Sequence, residues 1–460
     1  MKSAAVAVLI AGLAGPALAK PDAAAHAEAL EILTKGIAFR TVMGHQDQTV
    51  AYAEYLKGVL VKAGIDAADI RITPSDGTAY MTARYRGRDA RKKPIVVLGH
   101  MDVVEARRED WTRDPFTPVV ENGYVFGRGA VDNKFDVSMA VATLARLKRE
   151  GWTPGRDVIL ALSGDEETAM ATTQKLAAEL KGAEMALNSD GGGGLLDEAG
   201  QAVVYGLQAG EKTYADFTLT VTDPGGHSSR PGKTNAIDTV AQALVKVGAY
   251  QFPVMRSELT DAYFRASAPK TGGATGEAMK RYVANPDDKD AVAVLAADPE
   301  YVGQLRTTCV STLVSGGHAV NALPQRATAN INCRIFPGTP SESVRQELVR
   351  VIGDPSITVE RVVGDGAIDS PASPLRPDVM AAVKKAVNAR YPGLTIVPSM
   401  SAGATDSMHF RAAGVPSYGV AGLFMKSSDD FSHGLNERAP VAAIDGSLAH
   451  WESLLKDLAK

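Results

Sequence analysis

Two hydrophobic rhythms divide this chain. Residues 26 to about 65 carry apolar positions at helical spacing, Leu30, Leu33 and Ile37, then Tyr52, Tyr55, Leu56 and Val59, which predicts helix. Short, wholly apolar runs follow and alternate with helical stretches. Ile95–Leu98, Val158–Leu162 and Met185–Leu187 read as buried strands, and Val137, Val141, Leu144 and Leu147 mark one face of a helix between the first two. This alternation predicts an α/β sheet with helices on both faces. Near Gly206 the texture changes. Residues 214–222 alternate apolar and polar, as a half-exposed antiparallel strand does. A helix at about 235–247, strands near 307–314 and 327–336, a helix at 342–352 and a strand at 357–363 follow. That order is ferredoxin-like α+β, interrupted by a polar insertion at 255–305. After about Ser370 the first texture resumes, so the small domain is expected to be inserted into the large one. The expected boundaries are 20–206 and 369–460 for the large domain and 207–368 for the insert.

At 460 residues the chain is long enough for two such domains. Its 49 basic and 53 acidic residues leave a net charge of −4, with no polybasic run. A surface this close to neutral gives no reason to expect nucleic acid, whose binding depends on concentrated basic charge. Lys2, the apolar run Ala4–Leu13 and the small residues Ala17 and Ala19 read as a signal peptide over residues 1–19. The run is short for a membrane anchor and Pro16 interrupts it, so the mature protein is expected to be periplasmic or secreted, without a membrane segment. Export makes a disulfide between Cys309 and Cys333 permissible, although two cysteines also serve as small apolar filler in strands.

Polar residues gather where these strands end. The first runs into Gly99-His100-Met101-Asp102, the second into Ser163-Gly164-Asp165-Glu166-Glu167, and the third into Asn188-Ser189-Asp190. A fourth segment, Tyr418–Phe424, is followed nine residues later by His433. Any one of these is ordinarily a cap or turn residue; four together point to a site at the carboxyl edge of the sheet. Imidazole mixed with carboxylate, without thiolate, suits zinc and related divalent ions. His100 and Asp102, two apart on extended chain, face the same way, as a ligand and the carboxylate that orients it do. Glu166 and Glu167 can divide roles in a turn, one on metal and one on water. Gly127-Arg128-Gly129-Ala130-Val131-Asp132-Asn133-Lys134 places an acid among glycines before a helix, which alone would also suit an N-cap.

These motifs, together with Gly225-Gly226-His227-Ser228-Ser229 and His433-Gly434-Leu435-Asn436-Glu437-Arg438, resemble in order and spacing those of the M20 metallopeptidases: glutamate carboxypeptidases, Xaa-His dipeptidases, carboxypeptidase S-like enzymes and N-acyl-amino-acid hydrolases. The resemblance covers nearly all of the mature chain. It implies a zinc-exopeptidase-type mixed sheet flanked by helices, an inserted ferredoxin-like lid or dimerisation domain, and two divalent ions, zinc foremost. It implies Asp132 as the bridging ligand, His100 and Asp190 on one ion, and Glu167 and His433 on the other. Asp102 would orient His100, Glu166 would be the general base, and His227 would help the oxyanion, often across a homodimer. Arg334, Asn321 and Gly403 would grip the substrate, and the bond after Asp132 would be cis. One departure is Phe135, where the family usually has glycine; it implies altered packing or pocket shape. His26, His45, His318, His409 and His450 read as surface or packing residues.

The function so implied is hydrolysis of a peptide or amide bond beside a free carboxylate, as carboxypeptidase or dipeptidase, with N-acyl-amino-acid hydrolysis as the alternative. A non-catalytic metal- or peptide-binding protein is the reading of another class. Glu166, which no structural zinc site needs, argues against it.

Overall fold

The computed structural model describes residues 23–364 and 368–460. The expected leader at 1–19 lies outside the described residues. The N-terminal helical stretch is two helices, α1 (Ala23–Ala38) and α2 (Gln46–Lys62), broken at 39–45, where Gly44 has φ +91°. An Asp76-Gly77 turn joins β1 (Ile70–Ser75) to β2 (Thr78–Tyr85). The predicted buried strands follow as β3 (Ile95–His100), β6 (Val158–Ser163) and β7 (Met185–Asn188). Between β3 and β6 come the short β4 (Val119–Glu121) and β5 (Tyr124–Phe126), then α3 (Lys134–Arg149). Helix α4 (Ala171–Glu179) links β6 to β7, and β8 (Gly193–Leu196) and β9 (Ala202–Glu211) extend the sheet.

Strand β3 lies between β6 and β7 and parallel to both, with His100 level with Ser163 and Leu98 level with Asn188. Three chain segments therefore leave the sheet at one edge. Alternation along β3 serves two cores. Ile95 and Val97 join the larger one with Ile32, Val137, Val141 and Trp451, while Val96 and Leu98 join a smaller one with Leu176 and Phe410. Phe135 is fully buried in the larger core, so the departure from the family pattern is a packing change.

A second sheet is built from β10 (Thr213–Thr222), β12 (Thr308–Gly316), β14 (Arg326–Ile335) and β15 (Ile357–Arg361), in the order β12-β14-β10-β15 with every pair antiparallel. Helices α5 (Ala236–Ala249) and α10 (Ser341–Ile352) cover one face through Val240, Val247, Val344 and Leu348, packed on Phe217, Leu219 and Ile331. This is the ferredoxin-like arrangement expected from the order of elements. Asn235 starts α5 by accepting the Ile237 and Asp238 N–H groups. A ribbon of β11 (Gly226–His227) and β13 (Ala322–Leu323) stands beside the sheet. The polar stretch within this region is helical: α6 (Glu258–Thr271), α7 (Gly273–Ala284), α8 (Lys289–Ala296) and α9 (Pro299–Leu305). They share a small core of Phe264, Met279, Tyr282 and Leu295, and Leu259 of α6 enters the large core.

The last segment returns to the first sheet as α11 (Pro377–Arg390), β16 (Ile396–Ser401), α12 (Ser407–Ala412), β17 (Ser417–Gly419), β18 (Phe424–Lys426), β19 (Arg438–Pro440) and α13 (Ile444–Leu458). Strand β16 pairs with β9, β17 fits between β7 and β9, and β18 extends β8. The segment read as one unit, Tyr418–Phe424, is thus two short strands in different places of one sheet. Among the described residues no helix is long and apolar enough to cross a membrane.

Cys309 and Cys333 lie directly opposite on β12 and β14 and form a disulfide. The bridge ties residues 24 apart in sequence. Replacing both by serine is expected to cost about 3 kcal/mol, read as an earlier unfolding transition in urea. His450 supplies a pH dependence. It is fully buried and donates from Nε2 to the Val420 carbonyl. Burial, and next the Arg390 charge, press its pKa from 6.5 down to about 3. The unfolded chain therefore binds the extra proton between those values, and stability falls as pH drops below 6.5. Wild type should lose about 2 kcal/mol through this group between pH 6.5 and 5, and His450→Gln should lack that component in thermal unfolding.

Candidate metal centre

The shared carboxyl edge of β3, β6 and β7 brings distant residues together. His100 is the last residue of β3, Glu166 and Glu167 lie in the turn after β6, and Asp190 follows β7. His100 Nε2 is 3.0 Å from Asp132 Oδ1, and His433 Nε2 is 3.2 Å from Asp132 Oδ2. His433 Nε2 also lies 2.9 Å from Glu167 Oε2. Two donor groups result, His100–Asp132–Asp190 and Asp132–Glu167–His433, each with its ligand atoms within 4.8 Å of one another. Asp132 belongs to both, one oxygen facing each histidine. All five residues named as ligands from the sequence are thus in one place.

The donor set fits a pair of divalent cations. It has oxygen and imidazole only, and two triads that share a carboxylate. Its charges also call for cations, because Asp132, Glu166, Glu167 and Asp190 crowd around two imidazoles. Burial first, and then the charge of Asp132, push Asp190 well above the ordinary carboxylate range. Burial likewise raises Glu166, where His100 opposes the shift and Asp190 adds to it. Hydrogen bonds to Asp132 and Glu167 lift His433 to about 10. Bound cations reverse these preferences.

Asp102 supports the centre twice. Its carboxylate accepts the N–H groups of Glu166 at 3.1 Å and Glu167 at 3.0 Å, which fixes the turn carrying both acids. Its Oδ1 is 3.5 Å and its carbonyl 3.1 Å from His100 Nδ1, so that nitrogen points away from the metal side. Asp165, next to the acids, holds the turn against α4 by accepting the Ala171 and Thr172 N–H groups.

The loop carrying Asp132 has its own clamp. Glu437 is fully buried and accepts N–H groups from Gly129, Val131 and Asp132 at 2.8 to 3.0 Å. Its remaining bond is to the Arg128 guanidinium at 2.8 Å, which is also buried. The Asp132–Asn133 peptide bond is cis, as expected. Lys134 turns the other way, donating to the Gly36 and Phe39 carbonyls at the end of α1. Burial lowers its pKa to about 7.

The remaining predicted residues lie in two groups apart from these triads. Arg334 on β14 stacks over Tyr214, 4.7 Å from the ring centre, and donates to the Ala402 carbonyl at 2.7 Å, next to Gly403. His227 and Asn321 meet at the β11–β13 ribbon, where Ser228 N–H donates to the Asn321 carbonyl. His227 is exposed and its Nδ1 faces Ser229. Among the other histidines, His26 bonds Asp445, His45 precedes α2, His318 is exposed, and His409 and His450 are buried.

Glu437 and Asp406 were missed as site residues, although Glu437 stands inside the His433–Arg438 motif and Asp406 three residues after Gly403. Asp406 is fully buried and accepts hydrogen bonds from the Ser163 and Thr173 hydroxyls behind the Glu166 turn. Nothing in the local sequence distinguishes either acid from a surface one; a motif longer than its ligands is the only signal. Glu437→Gln should leave the buried Arg128 without its counter-charge and cost about 3 kcal/mol. It should also lower metal affinity about tenfold, measured by competition with a chelator.

Comparison with known proteins agrees with this geometry. The family model for peptidase family M20/M25/M40 matches residues 96–457. The chain is 28% identical over 370 residues to an N-fatty-acyl-amino acid synthase/hydrolase of Danio rerio, covering 77% of this chain and 70% of the relative. Its fold is similar to an M20 family metallo-carboxypeptidase from Sulfolobus solfataricus, with TM-score 0.68, 20% identity and coverage of 94% of this chain and 99% of the other. It is also similar to a dinuclear metal-binding M20 peptidase of Bacillus subtilis, with TM-score 0.61, 14% identity and coverage of 95% and 99%. A model matched from β3 to α13, and a donor set at the edge that this span builds, place the chain in peptidase family M20/M25/M40, as a metallopeptidase-type hydrolase.

Proposed function

We propose that this protein hydrolyses the amide bond joining an acyl or aminoacyl group to an amino acid whose carboxylate is free, using two divalent ions, most simply zinc. The observation that carries the reading is the pair of donor triads sharing Asp132, with the buried acid Glu166 beside them. When bound, such ions would polarise the scissile carbonyl and lower the pKa of the attacking water. His100, Asp132 and Asp190 would hold one ion, and Asp132, Glu167 and His433 the other. Glu166 takes a proton from the attacking water and returns it to the departing nitrogen. Asp102 keeps Glu166 in place by holding its backbone N–H. Arg334, already fixed by Tyr214 and Ala402, offers its guanidinium to the substrate carboxylate, with Gly403 and Asn321 as neighbouring contacts.

Carboxypeptidase or dipeptidase activity and N-acyl-amino-acid hydrolysis share this chemistry. The similarity to the Danio rerio hydrolase supports N-acyl amino acids, and the fold shared with metallo-carboxypeptidases supports peptides. His227 is assigned to oxyanion support across a homodimer, consistent with its exposure and with exposed Val310, Leu313 and Val314 on the edge strand β12. Export through the leader at 1–19 agrees with the Cys309–Cys333 bridge, which persists in oxidising compartments.

A panel of dipeptides and N-acyl amino acids, with metal content determined, tests the reading. Wild type should cleave at least one class. Glu166→Gln should keep its metals and its KM while kcat falls by about 10²–10⁴. Metal-loaded wild type that cleaves neither class, or an equally active variant, would remove this assignment.

A further inference from the structure

A cavity of about 330 Å³ adjoins the metal donors, with Asp132 and Asp190 on its wall. Its shape follows from strand alternation. On β8, Gly193 and Leu195 share one face; Met425 of β18 is level with Leu195, and Leu423, just before β18, lies against Gly193. Leu195, Leu423 and Met425 all line the cavity, and Ala421 completes the apolar wall. Gly193 contributes no side chain, which leaves the face concave. Gly194 points to the other side, where a Cβ would strike the Phe424 ring. The glycine run after Asp190 thus has a packing cause on one face and an open pocket on the other.

The charged groups around this cavity are engaged or anionic. Lys426 donates to the Glu198 carbonyl at 2.9 Å. Asp136 is buried and accepts from Gly422 N–H and Trp451 Nε1. Asp430 accepts from Ser432. Asp132, Asp136, Asp190 and Asp430 outnumber the lining cation Lys426, so the lining as a whole disfavours a substrate carboxylate, and Arg334 is not part of it. A substrate spanning the metals would therefore direct its carboxylate toward Arg334 and an uncharged group here. The volume is at the small end of ligand sites, which suits a medium-length chain.

We propose that the cavity walled by Leu195, Ala421, Leu423 and Met425 binds the acyl chain of an N-acyl amino acid substrate, with the scissile amide at the donor triads. This rests on the amide-hydrolase reading and adds the part of the substrate recognised and the residues that select it. An apolar first side chain of a peptide presents similar chemistry, but it brings an ammonium group on the same carbon.

The test is kcat/KM of the metal-loaded full chain on acetyl, butyryl, hexanoyl and octanoyl derivatives of one amino acid, beside dipeptides with alanine or norleucine in first position. Wild type should gain about fourfold per methylene added until the cavity is full. Leu195→Trp and Met425→Trp should each lower the octanoyl-to-acetyl ratio at least tenfold with metal content unchanged. Leu195 is 37% exposed, so its replacement does not threaten folding. Cleavage of the acetyl compound without chain-length dependence, or a ratio unchanged in both variants, overturns the pocket assignment and leaves the hydrolase reading standing. Length dependence confined to the dipeptides assigns the cavity to a peptide side chain and also overturns it. Failure to cleave any compound overturns both.

Discussion

Four carboxylates and two imidazoles meet at one edge of this sheet, from the buried His100 to the exposed His433, and the repulsion among the carboxylates is the constraint that the surrounding structure answers. Like charges in a region of low dielectric spread apart unless their backbones are held and cations compensate them. The chain supplies the holding. Asp102 pins the turn that carries Glu166 and Glu167, and Glu437 pins the loop that carries Asp132. Each uses a carboxylate to fix backbone N–H groups; the charge of Glu437 is met by Arg128, whereas Asp102 faces His100. The supports thus hold in place the backbone segments that carry the ligands.

Behind the third ligand lies a buried polar network. Asn188 accepts the Asp190 N–H and donates to Thr405 and Ser407; Thr405 in turn donates to Glu211, which is paired with Arg411 at 2.9 Å. Glu211 is also the last residue of β9, one step before Lys212 and the entry into the second sheet. Lys212 binds the Arg306 carbonyl beyond the four-helix segment. The position of Asp190 is thus mechanically continuous with the crossing between the two sheets. Arg334, near the same crossing, is held against Ala402 of the segment after β16.

Several features were legible because they are local. Ile95–Leu98, Val158–Leu162 and Met185–Leu187 are short apolar runs that read as buried strands, and polar residues at their ends are visible by inspection. Alternation in 214–222 identified β10 and its half-exposed face. Other features were not. The split at 39–45 and the helices α6–α9 lack a clean rhythm, because their burial is shared among several partners. The β17 and β18 strands are three residues each and owe their form to β7 and β8.

The resemblance of ordered motifs to those of the M20 metallopeptidases was enough to name His100, Asp132, Glu167, Asp190 and His433 as a metal set, because motif order does not depend on distance. Short apolar runs likewise marked β3, β6 and β7. Tertiary structure alone decided that they run parallel side by side, which brings Asp132 between His100 and His433. It alone placed Glu437, 305 residues away from Asp132, beneath that residue's loop. It also made a cavity of Gly193, Leu195, Leu423 and Met425. The physical reason is the same in each case. A side chain's type and its neighbours in sequence set what it can do, whereas the partner that satisfies or excludes it is chosen by packing between segments hundreds of residues apart.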